Sequence, residues 1–175
     1  MTQAPGIDIG AMIEGIGRWV RNESPTRDAQ AVNRMIDIVQ SDASDLPIAI
    51  ERIPGRDGLG DILVLRNRAG GDGPGILILS HIDTVHPMGT LGGPLPFRRD
   101  GDRLYGPGIY DMKGGAYLAL EAFRQVARAG SACLPITFLF TPDEEIGSPS
   151  SRVMTGAPVN HETAPLMQNV KIKIN

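Results

Sequence analysis

Two short apolar runs, with a helical segment between them, most constrain how this chain can fold. The runs are GILILS, which begins at Gly75, and ITFLF, which begins at Ile136. Neither alternates apolar with polar residues, a pattern typical of strands covered on both faces of a sheet. Residues 113–129 lie between them, with apolar residues at helical spacing and Gly130 as a stop signal. This order predicts a right-handed crossover between two parallel strands.

The segments before these runs complete an α/β pattern. Apolar residues recur at helical spacing from Ile9 to Val20, where NESPT then ends the helix, and again between Asp28 and Gln40. Two short strand candidates, IAIERI and DILVL, follow in a region punctuated by Pro and Gly. The sequence therefore predicts a parallel or mixed sheet with helices packed against it.

Composition and charge exclude several classes of function. The 175 residues suit one domain, and 17 Lys and Arg against 20 Asp and Glu give a net charge of -3. Because no basic block is present, we expect no nucleic-acid partner. The single cysteine, Cys133, cannot form an internal disulfide, and its apolar neighbours predict a buried residue. Without a membrane-length apolar run or a basic N-terminal leader, we expect a soluble, cytoplasmic protein with no membrane partner.

Acidic residues and a histidine lie next to the predicted strands and helix at three places. SHIDT ends the first apolar run, GIYDMKGG precedes the long helix, and TPDEEIGS follows the second run. Ligands of open α/β sheets bind beyond the carboxyl ends of the strands, so we expect the three motifs to converge there. Their imidazole nitrogen and carboxylate oxygens suit zinc or a related divalent ion. The side chains concerned are His81, Asp83, Asp111, Glu144 and Glu145.

The spacing within SHIDT indicates two different roles. Residues two apart on a strand point to the same face, so Asp83 could accept the second imidazole N–H of His81 and fix its tautomer. We therefore expect His81 to ligate the metal and Asp83 to orient it. Taken singly, each motif has an ordinary structural interpretation, such as a solvated acidic turn or a helix start. Taken together, the three favour a metal site.

In this order and spacing, SHIDTV, YGPGIYDMKGG and TPDEEIGSPSSR resemble the metal-site motifs of the M20 family of di-zinc peptidases. The stretch PFRRDGDRLYGPG most resembles its glutamate carboxypeptidase branch, and the resemblance runs from the N-terminal helices to about Arg152. It implies a three-layer α/β/α zinc-peptidase catalytic domain with a mixed, mostly parallel sheet flanked by helices. It also implies a cis peptide at Asp111-Met112.

The resemblance assigns a role to each candidate residue. It implies two zinc ions, with Co²⁺ or Mn²⁺ as possible substitutes. His81 would bind one ion, Asp111 would bridge both, and Glu145 would bind the second. The catalytic residues would be Asp83, which orients His81, and Glu144, the general base that takes a proton from water and returns it to the departing amine.

The same resemblance predicts hydrolysis of an amide bond next to a C-terminal carboxylate residue such as glutamate. The substrate would be a small peptide or an N-acyl amino acid. An aminoacylase or deacylase of the same family is the alternative enzyme, and a non-catalytic metal-binding fragment is the alternative from another class.

The tail VMTGAPVNHETAPLMQNVKIKIN departs from the pattern of the resemblance. The family pattern would lead into a further acidic ligand, a lid domain and a last histidine ligand. We therefore expect residues 1–152 to form the N-terminal part of the catalytic domain and residues 153–175 a divergent tail, with the lid and dimerisation domain absent. A chain truncated in this way would be a monomer with impaired zinc binding and impaired activity.

Overall fold

The computed structural model describes residues 7–68 and 74–155, so most of the tail predicted to diverge lies outside the described residues. Four α-helices are present in the described part: α1 (Ile9–Arg21), α2 (Ala29–Ala43), α3 (Gly114–Ala129) and the short α4 (Arg152–Thr155). The six described strands are β1 (Ala49–Ile53), β2 (Ile62–Asn67), β3 (Ile76–His81), β4 (Arg98–Asp100), β5 (Arg103–Tyr105) and β6 (Ile136–Thr141).

The residues at the ends of the predicted helices are suited to those positions. Asp8 accepts a hydrogen bond from the Ala11 N–H at 3.0 Å, and Asp28 accepts one from the Ala31 N–H at 2.9 Å. These carboxylates satisfy N–H groups that have no partner within the first turn of a helix. Helix α3 ends at Gly130, whose φ of +58° is easily adopted by glycine.

The main sheet has the strand order β1-β2-β6-β3. Strands β3 and β6 pair in parallel, as the strand-helix-strand pattern predicts. The β1-β2 and β2-β6 pairs are antiparallel. The mixed sheet flanked by helices is thus confirmed, but the expectation of mostly parallel pairing is wrong for the described strands. The crossover argument applied to β3 and β6, whereas β1 and β2 follow one another through a short connection that favours antiparallel pairing.

The two faces of this sheet are covered to different extents. Helices α1, α2 and α3 pack on one face and share a core with inward residues of β2 and β6, including Leu63 and Phe138. Trp19 of α1 is fully buried there and meets the Tyr117 ring edge-on at 5.2 Å. On the opposite face a smaller cluster joins β2 and β6 to Met154 of α4. Within the described residues, α4 is therefore the helix that covers this second face.

Strand β3 differs from its prediction because it lies at the edge of the described sheet. Ile76 is 46% exposed and Leu79 is 48% exposed, whereas the central strand β6 is buried on both faces. A non-alternating apolar run does not distinguish an edge strand from a central one. Cys133 was also predicted to be buried and is exposed, because it lies in the connection before β6. None of the described helices is long and apolar enough to span a membrane.

Candidate metal centre

The parallel pairing of β3 and β6 places two of the motifs side by side. His81 at the end of β3 lies opposite Thr141 at the end of β6, so the segments after both strands leave the same edge of the sheet. The turn that holds Asp111 precedes α3, which connects the two strands. Ligating atoms of His81, Asp111 and Glu145 all lie within 4.8 Å of one another. The expected convergence of the three motifs is therefore present.

The His81 side chain is nearly buried, and both ring nitrogens have acidic neighbours. Nε2 lies 3.0 Å from Oδ1 of Asp111 and 3.8 Å from Oε2 of Glu144. Nδ1 lies 3.1 Å from the backbone carbonyl of Asp83 and 3.4 Å from its Oδ1. Asp83 thus flanks the ring as predicted, although its carbonyl oxygen is nearer than its carboxylate. Nε2 faces the cleft, which is the orientation a ligand requires.

The surroundings of His81 favour the positively charged form of its imidazole. Burial by itself lowers the pKa of the imidazole, but the hydrogen bonds to Asp83 and Asp111 and the charge of Asp83 outweigh it. The result is a pKa raised to about 9. A proton and a cation therefore compete for the same ring nitrogen.

The carboxylate of Asp83 connects the histidine motif to both glutamates. It is fully buried and accepts a hydrogen bond from the Thr26 hydroxyl at 2.7 Å. The backbone N–H of Glu144 donates to Oδ1 at 3.2 Å, and the N–H of Glu145 donates to Oδ2 at 3.3 Å. Asp83 thus touches the His81 ring and both glutamate backbones, and its position affects all three.

The two adjacent glutamates lie in a short 3₁₀ turn and have different surroundings. Glu145 is half-buried and belongs to the group with His81 and Asp111, whereas the Glu144 side chain is 55% exposed. Burial raises the pKa of the Glu145 carboxyl; the charge of His81 opposes this effect and that of Asp111 adds to it. The preceding Asp143 is fully buried and accepts the Ser150 N–H at 2.6 Å, which fixes the start of the turn.

The turn at Ile109–Lys113 presents Asp111 and contains the cis peptide Asp111-Met112 that the family resemblance implied. Lys113, at the end of this turn, directs its ammonium away from Asp111. It is 1% exposed, and Nζ donates to the carbonyls of Asn22 at 2.6 Å and Trp19 at 3.3 Å. Burial lowers the pKa of Lys113 to about 7, and the charges of Glu23 and Asp83 oppose this effect.

A cleft of about 270 Å³ lies beside these side chains. His81, Asp111 and Glu144 line it together with apolar atoms from Leu79 and Met112. One imidazole nitrogen and two carboxylates within 4.8 Å form a donor set that fits a divalent cation of the zinc type.

Two buried residues near the site have contacts that the sequence did not predict. Thr26 lies in NESPT, a stretch whose evident signal was the end of a helix. Lys113 lies within a motif, but its partners lie in the segment at the end of α1. Neither set of contacts has a local sequence signal, because the partners are distant along the chain.

Comparison with known proteins identifies a family. The sequence profile of peptidase family M20/M25/M40 matches residues 77–172. Carboxypeptidase G2 of Pseudomonas sp. (strain RS-16) is 35% identical over 145 residues, which cover 81% of this chain and 34% of that protein. Succinyl-diaminopimelate desuccinylase of Methylobacterium sp. (strain 4-46) is 41% identical over 101 residues, which cover 50% of this chain and 24% of that protein.

The solved structure of human carnosine dipeptidase 1 has a similar fold. It matches with a TM-score of 0.73 at 17% identity, over 93% of this chain and 37% of that one. The α/β fold of the catalytic domain is therefore shared. The present chain spans about a third of the length of carboxypeptidase G2.

Proposed function

Because the chain belongs to peptidase family M20/M25/M40, we propose that its metal centre serves the hydrolysis of a peptide or other amide bond. The observation that carries this proposal is the convergence of His81, Asp111 and Glu145 beside a cleft, with Glu144 exposed at its edge. These are an imidazole and carboxylates from three separate segments of the chain, and a bound cation would offset the repulsion among the acids.

His81, Asp111 and Glu145 are the proposed ligands, and zinc is the proposed ion, in a pair as the family resemblance implies. When bound, such ions make water acidic enough to ionise near neutral pH and polarise a carbonyl oxygen. Asp83 holds the His81 ring by its Nδ1 side, which leaves Nε2 free to ligate.

Glu144 is the proposed general base. Its carboxylate lies 3.8 Å from Nε2 of His81 and lines the cleft, so it can reach a water held among the ligands. It would accept the proton of the attacking water and return it to the departing amine, so that one carboxylate serves as base and then as acid. Because the Glu144 side chain is exposed, it has room to turn from the attacking water to the departing amine.

We propose a substrate with a carboxylate next to the scissile amide, such as a C-terminal glutamate. The similarity to carboxypeptidase G2 across most of this chain supports this choice. The desuccinylase similarity supports a second candidate, removal of an acyl group from an amine, by the same residues. The two reactions can be distinguished by assays with added Zn²⁺. One assay uses a peptide with a C-terminal glutamate, and the other uses an N-acyl amino acid.

The roles of the two glutamates can be separated by matched variants. Glu145→Gln removes a proposed ligand and should weaken metal binding, measured by titration with a competing chromophoric chelator. Glu144→Gln should leave metal affinity near that of the wild type and lower turnover by about 10²- to 10⁴-fold, the usual contribution of a general base.

Glu51→Gln serves as the control, because Glu51 lies on β1 and pairs with Arg66 on β2, and neither residue lines the cleft. Metal binding without hydrolysis of any amide by the wild-type chain would contradict the proposed activity and favour a metal-binding fragment. Equal loss of metal affinity in both site variants would contradict the proposed division of roles.

A further inference from the structure

The segment Asn22–Thr26, directly after α1, contacts the loops that carry the proposed metal ligands. The Asn22 carbonyl accepts the Lys113 ammonium at 2.6 Å, which ties the segment to the Asp111 turn. The Ser24 hydroxyl donates to the Ile82 carbonyl at 2.6 Å, inside the histidine motif. This segment therefore binds two of the three motifs before any metal is considered.

Thr26 ends this segment, and its backbone position is fixed. Its N–H donates to the Thr84 carbonyl at 3.3 Å, and the Thr84 N–H donates to the Ser24 carbonyl at 2.9 Å. Pro25 and Thr84 thereby form an isolated parallel bridge. Because the backbone is held on both sides, the Thr26 hydroxyl has little freedom to leave its partner.

That partner is the carboxylate of Asp83. Thr26 is 4% exposed and donates to Oδ2 at 2.7 Å, so both ends of the hydrogen bond are buried. The same oxygen accepts the Glu145 N–H at 3.3 Å, and the other carboxylate oxygen accepts the Glu144 N–H and lies 3.4 Å from Nδ1 of His81. A rotation of this carboxylate would shift all three neighbours.

We propose that Thr26 is a positioning residue of the metal centre, which acts through Asp83 on His81, Glu144 and Glu145. This inference rests on the proposed function, since it assumes that these residues serve a metal site. The hydrogen bonds of Thr26 within the described residues go to Asp83 and Thr84 and to none of the proposed ligands, and Thr26 does not line the cleft. Its hydroxyl selects one orientation of the Asp83 carboxylate, and a carboxylate in that orientation presents one oxygen to each glutamate backbone. Loss of the hydroxyl leaves Oδ2 with a weaker set of donors and allows the group to turn.

The test is Co²⁺ binding by the full 175-residue chain and its variants. The visible absorption of bound Co²⁺ depends on the coordination geometry, so it reports on ligand placement independently of turnover. Thr26→Val keeps the shape of the side chain and removes its hydroxyl, whereas Thr26→Ser keeps the hydroxyl. We expect Thr26→Val to weaken Co²⁺ binding about tenfold, the low end of the range found when direct partners of metal ligands are changed, because Thr26 acts through Asp83. We also expect it to change the absorption spectrum. Thr26→Ser should keep the Co²⁺ affinity and the absorption spectrum of the wild type.

Thr90→Val is the matched control. Thr90 is also buried, and its hydroxyl donates to the Pro87 carbonyl at 2.7 Å without contact with Asp83. The Thr90→Val variant should bind Co²⁺ with the affinity of the wild type. Thermal unfolding of each metal-free variant separates a general loss of stability from an effect on the site. Should Thr26→Val not fold, Thr26→Ala removes the same hydroxyl without filling its space.

Two results would overturn the inference alone. One is a folded hydroxyl-free variant with the affinity and spectrum of the wild type, whatever its melting temperature. The other is failure of Thr26→Ser to restore binding. Absence of Co²⁺ binding by the wild-type chain would instead overturn the proposed function, and the inference with it.

Discussion

Asp83 shows how one buried carboxylate can organise several side chains. It is fully buried and accepts hydrogen bonds from one hydroxyl and two backbone N–H groups, in addition to its contact with His81. A carboxylate can accept at both oxygens at once, whereas an amide offers one acceptor and one donor. The requirement at this position is therefore for an aspartate, and an isosteric amide does not meet it.

We predict that Asp83→Asn weakens divalent-metal affinity by about 10- to 100-fold, the range found when partners of metal ligands are changed. The amide would turn its N–H₂ group toward one of the N–H donors and leave a buried donor unsatisfied, which costs about 1–3 kcal/mol of folding stability. Metal titration and urea unfolding of the metal-free chain measure the two effects.

Asp42→Asn is the control for this substitution. Asp42 accepts the Trp19 indole N–H at 2.9 Å and pairs with Arg18, far from the motifs in sequence. It should lower stability and leave metal affinity unchanged. If Asp42→Asn weakened metal binding as much as Asp83→Asn, the affinity would depend on general stability and not on the Asp83 contacts.

At this scale the sequence predicted the chemistry but not the supporting contacts. Three motifs in a fixed order pointed to His81, Asp111 and Glu145, because each motif alone has an ordinary interpretation but the combination resembles the metal-site motifs of one family. Thr26 could not be found in this way, because its hydroxyl meets Asp83 57 positions along the chain. A threonine after a helix can make many different hydrogen bonds, and the folded chain shows that the Thr26 hydroxyl donates to Asp83.

At the scale of elements, the strand-helix-strand unit β3-α3-β6 determines where the site lies. Its two strands were predictable because apolar runs without alternation flank an amphipathic helix. Their neighbours were less so, because a run such as GILILS is equally apolar at an edge or in the centre. The antiparallel β1 and β2 lie on the far side of β6 from β3. The β3-β6 edge, with its parallel register, is therefore the part of the sheet that brings the motifs together.

The turn before Asp111 packs closely against the segment that follows β3. Gly108 has a φ of +67°, and a Cβ built there would lie 2.3 Å from Cγ2 of Thr84, which is 3% exposed and belongs to the histidine motif. The absence of a side chain at Gly108 thus allows the turn of the second motif to pack against the first.

We predict that Gly108→Ala destabilises the fold by more than Gly101→Ala. Gly101 has a φ of +61° in the β4-β5 turn and no heavy atom within 4 Å of a built Cβ. Its replacement should cost about 1–2 kcal/mol for the left-handed backbone alone. Gly108→Ala should cost a further amount of about 1–3 kcal/mol for overpacking, and should weaken metal binding because Asp111 moves with the turn. Equal unfolding free energies for the two variants would contradict the packing argument.

For the molecule as a whole, the site and the fold depend on the same contacts. The proposed ligands come from three segments of the chain. Asp83 joins the His81 and Glu145 segments, and the segment after the N-terminal helix joins Asp83 through Thr26 and the Asp111 turn through Asn22. An unfolded chain cannot hold these residues together. Metal binding should therefore stabilise the folded chain, and the size of the effect should follow the metal concentration.

We predict that Zn²⁺ raises the melting temperature of the chain and that a chelator reverses the change. A ligand at 100 times its dissociation constant that binds only the folded state adds about 2.7 kcal/mol, less if the unfolded chain also binds. For a chain of this size that corresponds to roughly 5–10 °C. His81→Ala removes a ligand and should lose most of the shift. Because His161 lies outside the three motifs, His161→Ala should keep the shift. An equal shift in the wild type and His81→Ala would show that zinc binds elsewhere, and it would contradict the proposed centre.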